Sequence, residues 1–311
     1  MSDRVEAVPV GSRRPGPMRT AIGWLVESGE AQLFLAALLA GSGWLFSLNA
    51  LKELPPLLFI GSRFMIAGLL IHITLGLPSL GPMRRVWKGL ALSSFAMAAA
   101  MTLWIIGLKH TSHIGVAAFI TATGNLMVPL VGLVIFRWRL ALHSATSLAV
   151  AAVGLALLLL NAGSTLAAPD VMFLVSALLW AVSLVVVREK ARDVSAASVS
   201  VAQLFCTGAI VAVGSMVTEE LPATIPSFST LGWFLASLVL STCLRFVLQF
   251  EGQSRTAPAK AGVMMIFEPA WAMVFAFIFV GASITSVQAA GCAVISAAVA
   301  REALARKAPS G

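Results

Sequence analysis

The 311-residue chain is 59% hydrophobic and only 11% charged, with a net charge of +8. Soluble globular domains run at roughly 45–50% and 25%, so these proportions point to a polytopic membrane protein. Its basic residues fall in short clusters between apolar runs, a pattern that orients a chain in a bilayer and excludes nucleic acid as the expected partner.

Residues 1–29 carry Arg4, Arg13, Arg14 and Arg19 and three prolines between Val8 and Met18, and read as a disordered cytoplasmic tail. Ten apolar runs of spanning length follow, at 30–50, 56–77, 86–108, 113–136, 141–161, 169–188, 195–218, 230–251, 257–280 and 284–303. Pro55-Pro56, Pro78-Ser79, Gly163-Ser164, Pro222 with Pro226, and Gly281-Ala282-Ser283 supply turn chemistry between them. The expected fold is therefore all-α, with ten transmembrane helices. Its sections are a first five-helix unit over 30–161, a second over 169–303, and a short cytoplasmic tail over 304–311.

Placing the N-terminus in the cytoplasm puts 17 of the 21 basic residues on that side; only Lys52 and Lys109 fall outside, while Arg63 and Arg245 lie within helices. This asymmetry predicts both termini inside. Trp24, Trp87, Trp138 and Trp233 lie near the expected interfaces.

The two halves resemble each other. Residues 37–47 align with 173–183, pairing Trp44 with Trp180 and Ser47 with Ser183. A second alignment lays the fourth and fifth runs over the ninth and tenth, pairing Gly124-Asn125 with Glu268-Pro269. An odd number of helices per copy makes the second copy enter from the opposite side. Two inverted repeats around a central cavity are thus expected, rocking about a central site.

Helices one and six each carry a tryptophan after a run of small residues, and the ninth, proline-bearing helix is followed by a tenth with Gln288 and Gly291. In these features the chain resembles the drug/metabolite transporter superfamily, specifically its ten-helix EamA-type branch, from about residue 33 to 303. Within the branch it looks most like bacterial exporters of aromatic and other apolar amino acids. The resemblance implies an inner-membrane carrier, expected as a monomer, whose partners are a small-molecule substrate and the lipid bilayer. Members often carry a Gly-Glu pair after the fourth and ninth helices. This chain has Arg137-Trp138 and Gly281-Ala282 there, so no gating role carries over to glutamates at those positions.

Three formally charged residues lie deep in helices: Arg63, Arg245 and Glu268. A charge at the bilayer centre costs at least about 2.5–3.5 kcal/mol, so Glu268 is expected to pair with an arginine, by preference Arg245 of the neighbouring helix. The functional reading is that an unpaired arginine, or the pair when opened, receives a substrate carboxylate; the structural reading is a pair that ties helices together. Glu268 is also a candidate to carry a proton. Pro269 cannot donate its backbone hydrogen bond, which predicts a kink and a free carbonyl at Met265.

Trp44, Trp180 and Trp271 sit near the middles of their helices, away from the interfacial belt, and with Phe267, Met264 and Met265 are expected to wall an apolar cavity. Ordinary helix packing is the competing reading for each. Asn125, Gln203 and Gln249 are further intramembrane polar groups, Gln203 aligning with Arg63 and Gln249 lying one turn beyond Arg245. With Ser47, Trp104 and Ser183 they complete the candidate substrate-binding set.

No enzyme is expected. Asp3, Asp170 and Asp193 lie in loops or the tail, leaving no DxxxD metal-diphosphate motif, and Ser42 and His72 lack any protease motif. His72, His110, His113 and His143 show no metal spacing, and Cys206, Cys243 and Cys292 fall in apolar runs, so no metal or other cofactor is expected. A channel would require filter rings that the sequence does not propose.

Overall fold

A computed structural model describes residues 28–75, 83–139, 142–160, 167–190, 194–222, 224–256, 261, 264–265 and 267–305. The expected N-terminal tail lies almost wholly outside these residues, as do the turns at Pro78-Ser79 and Gly163-Ser164. The helices are α1 (Gly29–Ala50), α2 (Pro56–Leu75), α3 (Met83–His110), α4 (Ile114–Phe136), α5 (Leu142–Leu160), α6 (Ala168–Lys190), α7 (Ala196–Thr218), α8 (Phe228–Arg255), α9 (Phe267–Val280) and α10 (Ser286–Ala305). No strand occurs among the described residues. Seven of these helices are long and apolar enough to cross a membrane, whereas α5, α9 and α10 carry shorter apolar stretches.

Each helix lies on one of the apolar runs, and the departures have local causes. Helix α3 starts three residues before the expected 86 because its first turn is solvated, with Arg84, Arg85 and Trp87 exposed. Helix α8 runs on from the expected 251 to Arg255, where Glu251 and Arg255 pair one turn apart at 3.0 Å and support a helix end in water. Ala305 ends α10 two residues late, inside the segment expected to be tail. The kink expected at Pro269 turns on a stretch whose residues 262, 263 and 266 lie outside the described residues.

Three helices are interrupted. Helix α4 breaks at Thr123, whose hydroxyl donates to the Ile120 carbonyl at 2.6 Å. Pro129, which the sequence reading passed over, follows within its second segment. Helix α8 contains a π-helical turn over Val239–Leu244; Ser241 and Thr242 both donate to the Ser237 carbonyl, at 2.8 and 2.9 Å. Helix α9 ends in a π-helical turn over Ala276–Val280. Such turns re-aim the side chains that follow them, and Arg245 is the first residue after the one in α8.

Helices α4 and α9 end in the same way. Arg137 and Gly281 both take left-handed backbone conformations, φ 55° and 68°. Trp138 N–H donates to the Gly132 carbonyl at 3.1 Å, and Ala282 N–H to the Ala276 carbonyl at 3.2 Å. These are matching left-handed caps at aligned positions of the two halves. At Arg137 the chain accepts the strain that Gly281 avoids.

The packing is organised by pairs. Helix α1 lies on α8 and α9, as α6 lies on α3 and α4; α2 meets α7, α4 meets α9, and α5 meets α10. Exchanging α1–α5 with α6–α10 leaves these pairings unchanged. Along α2 and α7, Gly61 faces Ala212, Gly208 faces Met65, and Gly68 faces Phe205, so the two helices run antiparallel. A Cβ at Gly61 would lie 2.7 Å from the Ala212 nitrogen, which is why this seam uses small residues.

Candidate functional site

The charges deep in the apolar runs lie on α2, α8 and α9, Arg63 buried and Arg245 and Glu268 half-buried. Glu268 Oε2 lies 3.6 Å from Arg245 Nη2, an ionic contact that matches the pairing preferred from sequence. The Arg245 guanidinium also lies over the Phe246 ring, 4.8 Å from its centroid. Among the described residues, Arg245 Nε, Gln249 Oε1 and Trp271 Nε1 are buried without a hydrogen-bond partner. Unmet polar atoms of this kind are costly in a core.

Arg63 is only 7% exposed. Its Nη1 donates to Ser47 Oγ at 2.9 Å, and the guanidinium lies 5.2 and 5.1 Å from the ring centroids of Phe59 and Phe64. No carboxylate of the described residues pairs with it, its Nε has no partner among them, and Arg245 is near enough to repel it. In the other half, Gln203 Nε2 donates to Ser183 Oγ at 2.6 Å. The two pairs aligned in sequence, Ser47 with Ser183 and Arg63 with Gln203, thus make the same hydrogen bond in the two halves.

The aromatic residues form two groups instead of one wall. Trp44 meets Trp104 edge-on at 4.9 Å and lies 5.9 Å from Phe173, and both tryptophans are buried. Phe34 packs edge-on to Phe267 and Trp271, at 5.6 and 5.8 Å. Trp180 lies apart from both groups, against Gly124, where a Cβ would come 3.2 Å from its ring and 2.9 Å from the Ala177 carbonyl. Gly41 is the counterpart of Ala177, and a Cβ there would come 2.9 Å from the Glu268 carbonyl. Asn125 is exposed, and its amide reaches only the Ala122 carbonyl, at 3.5 Å. Met264 and Met265 are half-buried.

At the opposite end from the basic clusters, a cavity of about 480 Å³ is lined by residues including Lys52, Glu53, Lys109, Glu219 and Glu220. Two of these carboxylates join the halves, and the sequence reading missed both. Glu219, at the end of α7, accepts the N–H groups of Leu57 and Leu58 at 2.8 and 2.9 Å, and the Ser215 hydroxyl at 2.8 Å. Glu53 accepts the Ser227 N–H and hydroxyl, both at 2.7 Å. Those bonds, the backbone one foremost, hold the Glu53 carboxyl below its usual range. A signal for Glu219 was present: α2 opens on Leu54-Pro55-Pro56, with no capping side chain for its free N–H groups.

The described cysteines are free, and no group of three or more metal-ligating side chains occurs among the described residues.

The sequence matches the EamA-like transporter family twice, over residues 27–160 and again over 168–300. The chain belongs to the EamA-like transporter family. It is therefore a multi-pass membrane protein of the drug/metabolite transporter class, acting on a small molecule and embedded in lipid. A solved structure described only as "Crystal structure of protein" is similar in fold, with a TM-score of 0.64 at 20% identity over 90% of this chain and 100% of that one. No curated protein matches at a significant level.

Proposed function

We propose that the protein is a bacterial inner-membrane carrier that alternates access to a site between its halves and exports small, mainly apolar or aromatic amino acids and related metabolites. The carrying observation is the Arg245–Glu268 contact, with buried unpartnered atoms on Arg245, Gln249 and Trp271 beside it and aromatic side chains on α1 and α9 around it. Polar groups set in an apolar wall fit a solute with a charged head and an apolar body. Trp44, Trp104, Trp180, Met264, Phe267, Asn125, Ser47, Ser183 and Gln203 complete the assigned lining.

The two units, 30–161 and 169–303, are read as inverted repeats of five membrane-crossing helices each. Support comes from the antiparallel α2/α7 seam, the exchange-related pairings and the matching caps of α4 and α9. Rocking of one unit against the other then alternates access. The basic clusters support a cytoplasmic position for both termini.

Counterflow in proteoliposomes tests this reading. Vesicles loaded with unlabelled phenylalanine, methionine or threonine should accumulate the labelled form, because a carrier exchanges solute through one alternating site. Transport of a cationic dye without any amino acid would overturn the substrate assignment.

A further inference from the structure

Among the described residues, Arg63 is the buried charge that no carboxylate balances. Arg245 has Glu268 at 3.6 Å. Arg63 is more deeply buried than either, and among the described residues its hydrogen bond goes to Ser47 and its ring contacts are to Phe59 and Phe64. Within these helices the deep charges are two guanidiniums, Arg63 and Arg245, and one carboxylate, Glu268, an excess of one positive charge.

The other half supplies an internal control for what the fold requires at this position. There the same job, a donor from the second helix of the unit to a serine on the first, is done by Gln203 to Ser183 at 2.6 Å. Both of those residues are buried, and the amide carries no charge. Joining the two helices therefore needs a donor and not a cation. A buried guanidinium without a counter-ion is retained at a cost that packing does not explain.

From this we infer that Arg63 is a specificity-determining residue that receives the carboxylate of the transported solute, with Ser47 holding one arm of the guanidinium and Nε left to donate. The inference rests on the carrier reading above and narrows its substrates to organic monocarboxylates with an apolar body, zwitterionic amino acids included. Arg63 is suited to the task because its fork presents parallel donors to both carboxylate oxygens. The Phe59 and Phe64 rings flank the guanidinium at 5.2 and 5.1 Å and set an apolar surround for the ligand's body.

The test compares labelled phenylalanine with labelled phenylalanine amide, which lacks the carboxylate, in proteoliposomes of the wild-type protein and of Arg63→Gln and Arg63→Lys. Wild type should prefer the acid by about thirtyfold or more, the usual scale for losing a buried charged partner. Arg63→Gln, for which Gln203 is the precedent, should lower acid transport by about that factor and leave amide transport within about twofold. Arg63→Lys should keep part of the preference. Equal losses for acid and amide in Arg63→Gln would make Arg63 merely structural and overturn the inference, as would acid transport at the wild-type rate.

A binding measurement on the wild type decides the matter even where a variant does not fold. Phenylpropionate should raise the unfolding temperature of the detergent-solubilised protein and phenethylamine should not. Stabilisation by chloride but not by phenylpropionate would assign Arg63 to an inorganic anion and defeat the proposal. Failure of wild type to move either labelled compound or any other amino acid would instead defeat the carrier reading itself.

Discussion

Removing the Glu219 carboxylate should open the start of α2 without dissolving the bundle. Helix α2 begins with Pro56, which has no N–H, so the first donors needing an acceptor are those of Leu57 and Leu58. Both go to Glu219, at 2.8 and 2.9 Å, across a sequence separation of more than 160 residues. A capping acceptor is worth about 1 kcal/mol and a carboxylate at a helix N-terminus adds about 0.3–1 kcal/mol, so Glu219→Ala should cost about 2 kcal/mol in local stability. In an opening equilibrium that is a factor of roughly 30. Hydrogen exchange followed by mass spectrometry should show peptides covering Leu57–Ile60 losing protection by about that factor, while the centre of α2 around Ala67 changes little. Glu219→Gln, keeping one acceptor oxygen, should fall between. Unchanged protection at Leu57 and Leu58 in Glu219→Ala would refute the assignment of this carboxylate as the cap that joins the halves.

Further outcomes follow from the same contacts. Because Ser227 holds the Glu53 carboxyl below its usual value of 4.5, the clasp is fully formed above that pH and is lost as pH falls through the lowered value. Exchange at the Ser227 amide should accelerate on acidification in wild type and be pH-insensitive in Glu53→Gln, after correction for intrinsic exchange. Gly41→Val should destabilise by about 1–3 kcal/mol, read as a drop in unfolding temperature, since even a Cβ would lie 2.6 Å from that of Trp271; Gly214→Ala, with nothing within 4 Å, should not. Glu268→Gln removes the partner of Arg245 and should abolish any stimulation of transport by a pH gradient; undiminished stimulation would take Glu268 out of that role.

The helices themselves were legible because bilayer thickness and backbone hydrogen bonding restrict an apolar run of about 20 residues to one structure. The Glu268–Arg245 pairing was legible for a related reason: few charges lie deep in the apolar runs, so few partners were available. Its surroundings were not. Apolar periodicity does not say which helices touch, so the tryptophans expected on one wall divided between a Trp44–Trp104 contact and a Phe34–Trp271 contact, with Trp180 apart. The break at Thr123 and the π-helical turn before Arg245 were equally hidden. They depend on hydroxyls of Thr123, Ser241 and Thr242 bonding backward to the chain, an option every intramembrane serine and threonine has and only some use.

By itself the sequence determined a helical membrane protein, duplicated, with only three charged residues deep in its apolar runs, because hydrophobicity and the cost of buried charge act on each segment alone. Only the tertiary structure decided that Arg63 and Gln203 perform the same hydrogen bond in two halves while differing in charge, and that Glu219 caps a helix in the opposite half. Those facts depend on Arg63 reaching from α2 to Ser47 of α1, on Gln203 reaching from α7 to Ser183 of α6, and on the packing of α7 against α2. The reason is range: burial is a property of a segment, whereas a hydrogen bond between segments exists only once packing has brought its two atoms within about 3 Å.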